Sequence, residues 1–243
     1  MKMLVLSDIH ANFPALTAIL EQEPVFSGLL CLGDITGYGS DPQECVSKIQ
    51  SLIRDLEYSL VLCGNHDALL SNRIARSWFN PHALKTLPET RNSLNSESIE
   101  WLSSLPASKA ISPAVYASHG SPLASLTGYL WGGFETMSAF SWMEKRDISI
   151  CFTGHTHEAA CFIEGIPVSI INPEPGFIIK LDGKRKIINP GSVGFPRSFN
   201  GLYSIPELKS WPAYYALWNT SENSVTFKSA QYDRRDFEMH LEK

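Results

Sequence analysis

The chain has 243 residues and a mass of 27.0 kDa, room for one large domain or two small ones. Apolar residues make up 44% and charged residues 19%, which excludes a wholly disordered chain and supports a sizeable core. A net charge of -5, with no stretch rich in Lys and Arg, argues against nucleic acid or another polyanion as the main partner.

The first seventy residues alternate strand and helix. Residues 3–7 form a short apolar run that reads as a buried strand, and Phe13, Leu16, Ile19 and Leu20 then recur at helical spacing up to Pro24. A second buried run, Leu29 to Leu32, ends at Gly33-Asp34. A helix after Pro42 carries Val46, Ile49, Leu52, Ile53 and Leu56, and a third strand, Ser59 to Cys63, ends at Gly64-Asn65-His66-Asp67. This is a βαβαβ pattern, hence a parallel sheet with crossover helices. Residues 66–107 look helical but loosely patterned, with Ser96 or Ser98 as a cap. Strands follow at Ala114–Ala117, Ile148–Thr153, Cys161–Ile163, Val168–Ile171, Phe177–Leu181, Lys186–Ile188, Tyr214–Trp218 and Ser224–Ser229, with one helix around Phe134–Lys145. No linker or repeat divides the chain, so one domain of two sheets with helices outside them is expected.

The opening stretch reaches Asp8 after a few apolar residues, too short for a secretory leader. No run approaches the ~20 apolar residues of a membrane span, so a cytoplasmic protein without a membrane partner is expected. The five cysteines form no CxxC pair, and Cys31, Cys63 and Cys151 lie in apolar runs as reduced core residues.

Five polar clusters follow predicted strands: Asp8-Ile9-His10, Gly33-Asp34, Gly64-Asn65-His66-Asp67, His119-Gly120 and Gly154-His155-Thr156-His157. They take in five of the seven histidines. Open α/β sheets place their sites at such strand ends. Imidazole nitrogens with carboxylate and amide oxygens suit Mn, Fe or Zn without any thiolate. In continuing strand geometry Asp8 and His10 face the same side, as do His155 and His157. Any one cluster is also an ordinary turn; five together are hard to ascribe to chance.

In that order, D-x-H, G-D, G-N-H-D, H and G-H-x-H, the chain resembles the calcineurin-like metallophosphoesterase family. SDIHAN-PAL, LGD-x-x-GYG, GNHDA, HGSP, FTGHTH and NPGSVGFPR are similar to its small bacterial and archaeal branch of predicted phosphoesterases, from residue 4 to about 197. The resemblance implies a four-layer α-β-β-α sandwich of two facing mixed sheets with flanking helices. It also implies two divalent metal ions, Mn, Fe, Zn or Ni, with Mn favoured. Asp8, His10 and His157 resemble ligands of the first ion and Asn65, His119 and His155 those of the second, with Asp34 bridging. A hydroxide between the ions would attack phosphorus in line, and His66 resembles the histidine that steadies the phosphate and protonates the leaving oxygen. Asp67 is its natural orienting partner, or simply an acid at a helix N-terminus. The family usually has glycine where this chain has Ala11.

Asn12, Tyr38 and Arg197 are candidate substrate contacts, although Asn12 as a cap for the helix from Phe13 is the simpler reading. Trp78, Phe79, Trp131 and Phe134 could stack on a base or aryl group, or pack in the core. Residues 68–107 are a candidate lid and 198–212 an extra loop. The expected activity is hydrolysis of a phosphodiester or small phosphomonoester. Protein serine/threonine phosphatase and nuclease follow behind it, and last comes a non-catalytic scaffold, which would lack the histidines present here. The sequence leaves oligomeric state open.

Overall fold

The computed structural model describes residues 1–197 and 210–233. Strand β1 (Lys2–Leu6), helix α1 (Phe13–Gln22), β2 (Gly28–Cys31), α2 (Pro42–Leu52) and β3 (Tyr58–Val61) form the expected βαβαβ unit, and β1, β2 and β3 pair in parallel. Asn12 caps α1 by accepting a hydrogen bond from the Ala15 amide at 3.0 Å. Helix α2 stops at Leu52, earlier than the apolar spacing of Ile53 and Leu56 suggests; both still pack on the core beyond the helix end.

The segment from 66 to 107 contains α3 (Asn65–Leu70), a 3-10 turn (Arg76–Trp78), α4 (Pro81–Ser93) and α5 (Ser96–Ser104). The cap of α5 is Asn95, which accepts from the Ser98 amide at 2.7 Å, rather than Ser96 or Ser98. Then come β4 (Ser108–Ser112), β5 (Val115–Ser118), α6 (Gly133–Glu144), β6 (Ile150–Phe152), β7 (Ala159–Ile163), β8 (Ile170–Ile171), β9 (Ile178–Lys180), β10 (Lys186–Pro190), β11 (Ser210–Asn219) and β12 (Ser224–Asp233). Of the expected extra loop at 198–212, residues 198–209 lie outside the described residues and 210–212 open β11.

The strands form two mixed sheets of six, ordered β3-β2-β1-β11-β12-β9 and β4-β5-β6-β10-β7-β8. The period-2 alternation of β1 shows how they stack. Met3 and Val5 face the second sheet, against Phe152, Cys161 and Ile188. Leu4 and Leu6 face outward onto Leu16 and Ile19 of α1 and Val46 and Ile49 of α2. On the far side, Phe140 and Met143 of α6 cover Cys151, Phe162 and Ile187. The result is the four-layer α-β-β-α sandwich. All five cysteines are buried and free.

Glu23 ties the end of α1 to the first sheet. Its carboxylate accepts from Lys2 Nζ at 2.8 Å, from Tyr215 Oη at 3.0 Å and from Lys228 Nζ. Burial pushes this carboxyl up, but the bonds from Lys2, Lys228 and Tyr215 outweigh it and hold it below the ordinary range. A carboxyl depressed on folding stabilises fully above its unfolded pKa, roughly 4.3, and its contribution fades as pH falls through the folded value. Glu23→Gln is expected to cost about 1–2 kcal/mol at pH 7. In urea melts the gap between the two proteins should close below about pH 4; a gap independent of pH would refute the account.

Candidate metal centre

The polar clusters lie at one end of both sheets, in the loops after β1, β2, β3, β5 and β6. Their backbone is not continued strand. Asp8, His10, Ala11, Asp34, His155 and His157 all have positive φ, between 50° and 66°. The expected strand-like alternation is therefore replaced by left-handed turns, at a cost of roughly 1–2 kcal/mol for each such residue. Neighbouring backbone holds them there. The amides of Asp8, His10 and Ala11 donate to Gly33 O, Asp34 O and Ile35 O at 3.0, 2.9 and 2.9 Å. The 189–197 loop closes the other side: Ser192 Oγ and the Gly194 amide both donate to Asp8 O, at 2.8 and 3.0 Å. Asn189 Nδ2 reaches Gly154 O and Thr156 Oγ1, each at 2.9 Å. The NPGSVG motif thus pins the Asp8 turn of one sheet to the histidine loop of the other.

Two donor sets result. Ligand atoms of Asp8, His10, Asp34 and His157 lie within 4.8 Å of one another, and so do those of Asp34, His119 and His155. Asp34 belongs to both. Asn65 Oδ1 joins the second set, 3.0 Å from His119 Nε2.

Each carboxylate has one oxygen anchored and one aimed inward. Asp8 Oδ2 accepts from Ser7 Oγ at 2.6 Å and the His155 amide at 3.1 Å, while Asp34 Oδ1 accepts from the His66 amide at 2.8 Å. Asp8 Oδ1, Asp34 Oδ2 and His155 Nε2 are buried without a hydrogen-bond partner among the described residues. The imidazoles are fixed in the same sense. His10, His119 and His157 bond through Nδ1 to the carbonyls of Thr36, Leu32 and Phe195, at 3.1, 2.8 and 2.7 Å. A carbonyl only accepts, so Nδ1 carries a proton, and each ring when neutral offers its Nε2 lone pair.

His10 Nε2 and His157 Nε2 stand 3.0 Å apart. Two lone pairs facing each other beside an unpartnered carboxylate oxygen repel unless a cation attends them, and the residues present fit a divalent metal well.

Burial pushes His10, His66 and His157 below the ordinary imidazole range and His155 down to about 3. His119 differs: burial pushes it down, but the Asp34 carboxylate, 3.5 Å away, lifts it to about 9. Burial raises Asp8 to about 7. It also pushes Asp34 up, but His119, His66 and His10 together outweigh it and hold Asp34 well below the usual carboxylate range.

Other expected site residues fare differently. His66 lines the cavity beside the donors, its ring 5.0 Å from His10 and 4.6 Å from Tyr38. Tyr38 and Arg197 line the same cavity. Asp67 does not orient the His66 ring. Its carboxylate accepts from the amides of Ile35, Thr36 and Gly64 and from Thr36 Oγ1, clamping the β2 and β3 loops together. Asn12 is no substrate contact either: besides capping α1, its Nδ2 donates to Gly194 O at 3.1 Å and Tyr232 Oη at 2.8 Å. Phe134 does not line the cavity, whereas Tyr129, which no sequence pattern singled out, does.

A sequence profile described as calcineurin-like phosphoesterase matches residues 1–159. The uncharacterized protein MJ0912 of Methanocaldococcus jannaschii is 32% identical over 242 residues, covering 94% of this chain and 87% of its own. The crystal structure of a metallophosphoesterase from Sphaerobacter thermophilus superposes with a TM-score of 0.77 at 31% identity, covering 97% of this chain and 91% of that one. The hypothetical protein PH1004 from Pyrococcus horikoshii OT3 shares the fold, with a TM-score of 0.71 at 21% identity over 97% of this chain and 90% of its own.

Proposed function

Because the chain belongs to the calcineurin-like phosphoesterase family, we propose that it is a dinuclear metal-dependent hydrolase of phosphate esters, acting as a phosphodiesterase or small-molecule phosphatase. The observation that supports this best is the pair of donor sets sharing Asp34, with Asp8 Oδ1, Asp34 Oδ2 and His155 Nε2 buried without a hydrogen-bond partner among the described residues. Asp8, His10 and His157 would hold one ion, Asn65, His119 and His155 the other, and Asp34 both. These N and O donors accept Mn, Fe, Zn or Ni, and Mn is the first to test. Ions bound there would supply Lewis-acid activation of a water and neutralise charge on the phosphoryl oxygens.

The chain's own residues do the rest. Arg197 brings a fixed cation to the cavity wall, suited to a non-bridging phosphoryl oxygen. His66 offers an imidazole at the same wall, which in its protonated form would give a proton to the leaving oxygen. Tyr38 packs edge-on against His10 and stacks on Phe195, with centroids 4.7 and 4.8 Å apart, so it steadies both the His10 ring and the loop that carries Arg197. The turn and helix start at 76–83, which supply Trp78, Phe79, Asn80 and Ala83 to the cavity, are the part of 68–107 that would cover a bound substrate. We read residues 1–243 as one such domain.

Calorimetric titration of metal-free protein with Mn²⁺ should show two equivalents bound, and the loaded protein should hydrolyse a chromogenic phosphodiester. Binding of two ions with no hydrolysis of any diester or monoester in a panel would refute the enzymatic reading. His66→Ala should slow alkyl leaving groups by about 10²–10⁴-fold but p-nitrophenolate, which needs no proton, far less. Equal losses on both would reject the proton-donor role.

A further inference from the structure

Three of the four histidines in the donor sets have their rings fixed by a hydrogen bond: Nδ1 of His10, His119 and His157 each meets a backbone carbonyl. His155 lacks that support. Its backbone is left-handed, with φ of 66°, and its amide binds Asp8 Oδ2. Its ring, however, makes no hydrogen bond to a carbonyl among the described residues. A ligand ring that must be ordered at the moment it binds an ion gives up affinity to that ordering, so the ring needs another restraint.

Tyr129 supplies it. The two rings stack with centroids 4.1 Å apart and planes 29° from parallel. The ring of His119 meets His155 as well, at 5.1 Å and 60°. A stack differs from a hydrogen bond in what it consumes. The nitrogen lone pairs of imidazole lie in the ring plane, so a contact made on the face restrains that plane and leaves both nitrogens to other partners.

Tyr129 is itself 42% exposed, and its place is set by its neighbours in the chain. The loop after β5 begins at His119 and closes on itself. The Gly120 amide donates to Ser125 O at 2.7 Å, the Ser121 amide to Gly128 O at 2.9 Å and the Gly128 amide to Ala124 O at 2.8 Å. The packing at Gly128 is close enough that a Cβ would overlap Ser121 Oγ. On the other side, Leu130 is buried with Phe140 and Met143 of α6. Anchors at 128 and 130 leave residue 129 little backbone freedom, and a phenol ring has few torsions of its own to fix. Trp131 then lies parallel to Tyr129, at 5.9 Å and 10°, and adds a second ring contact. One loop therefore carries a donor, His119, at its start and the support of another, His155, at its end.

We infer that Tyr129 is the positioning residue of the second donor set: its face holds the His155 imidazole in place for an ion shared with Asn65, His119 and Asp34. This rests on the two-ion reading above. In the first set, His10 and His157 are held by carbonyls instead, so only one of the two ions should depend on Tyr129.

The test is calorimetric titration of metal-free protein with Mn²⁺ in wild type, Tyr129→Leu and Tyr129→Phe. Leucine keeps an apolar side chain without a planar face; phenylalanine keeps the face. Wild type should bind two equivalents. Tyr129→Leu should weaken one of them by roughly 10-fold or more and leave the other nearly unchanged, which also shows that the variant is folded. Tyr129→Phe should bind both ions as wild type does. Equal weakening of both ions in Tyr129→Leu, or of neither, overturns the positioning role while the two-ion reading stands, and so does a Tyr129→Phe that behaves like Tyr129→Leu. If wild type binds fewer than two ions, the two-ion reading fails, and proton magnetic resonance of the metal-free protein then decides the role of Tyr129 alone. The ring current of a stacked phenol should move the His155 ring protons, identified by their loss in His155→Gln, upfield of those of an unstacked histidine. Tyr129→Leu should abolish that displacement; its absence in wild type overturns the proposal.

Discussion

Asp34→Asn should lower phosphoester hydrolysis by about three orders of magnitude or more while leaving the fold intact. Asparagine matches aspartate in shape, and its carbonyl can still accept from the His66 amide now bound by Oδ1 at 2.8 Å. What it lacks is the charge on Oδ2, the one carboxylate oxygen near donors of both sets: 3.8 Å from His10 Nε2 and 3.5 Å from His119 Nε2. The metal-free fold favours the Asp34 anion through His119, so in EDTA the variant should melt no higher than wild type. Addition of Mn²⁺ should raise the wild-type melting temperature and barely move that of the variant, since binding to the native state alone is what stabilises it. A variant stabilised by Mn²⁺ as strongly as wild type would contradict the shared role of Asp34.

Gly64→Ala should be a highly damaging change of a single methyl group. Its φ of -86° would suit any residue, so conformational freedom is not the issue; space is. A Cβ there would overlap both Asp34 Oδ1 and the Asp34 amide. Both are backbone-anchored, and neither can swing away as the end of a flexible side chain could. Overpacking of this kind costs about 2–4 kcal/mol, a fall of roughly 5–15 °C in Tm for a chain of this size. Relief comes only by moving Asp34, so metal affinity and activity should fall together with stability. Retention of wild-type Mn²⁺ affinity in Gly64→Ala would show that the loop yields elsewhere.

Much of this site is legible in the sequence because it lies at the ends of buried parallel strands. Continuous apolar runs such as Leu29 to Leu32 mark such strands, and a glycine followed by polar residues marks where each one stops. What stayed hidden has particular causes. Strand β4 is polar and largely exposed at a sheet edge, so Ser108–Ser112 carries no hydrophobic signal. The left-handed backbone of Asp8, His10 and His157 leaves no mark in residue type, because it is imposed by hydrogen bonds from distant loops. Asp67 sits beside His66 in sequence, which suggested a partnership. The helix start turns its carboxylate instead toward the amides of the preceding loop. Tyr129 comes to the site by packing on His155, a contact that chain order does not encode.

The placement of β11 has a temporal consequence. It inserts between β1 and β12, pairing Lys2 with Asn219 and Val5 with Ala216, so the first sheet cannot close until the C-terminal strands exist. A chain emerging from the ribosome presents Asp8, His10, Asp34 and Asn65 early, on a βαβαβ unit whose own pairings are short in range. His119, His155 and His157 arrive later, and the loop that pins Asp8 to them arrives later still. Contacts of such long sequence separation form slowly and late in folding. The nascent chain therefore offers three of the four donors of the first set and two of the four of the second, a weaker chelator, through most of its synthesis. On the proposed reading, choice of metal is deferred to the finished protein, where all seven candidate donors are held at fixed spacing.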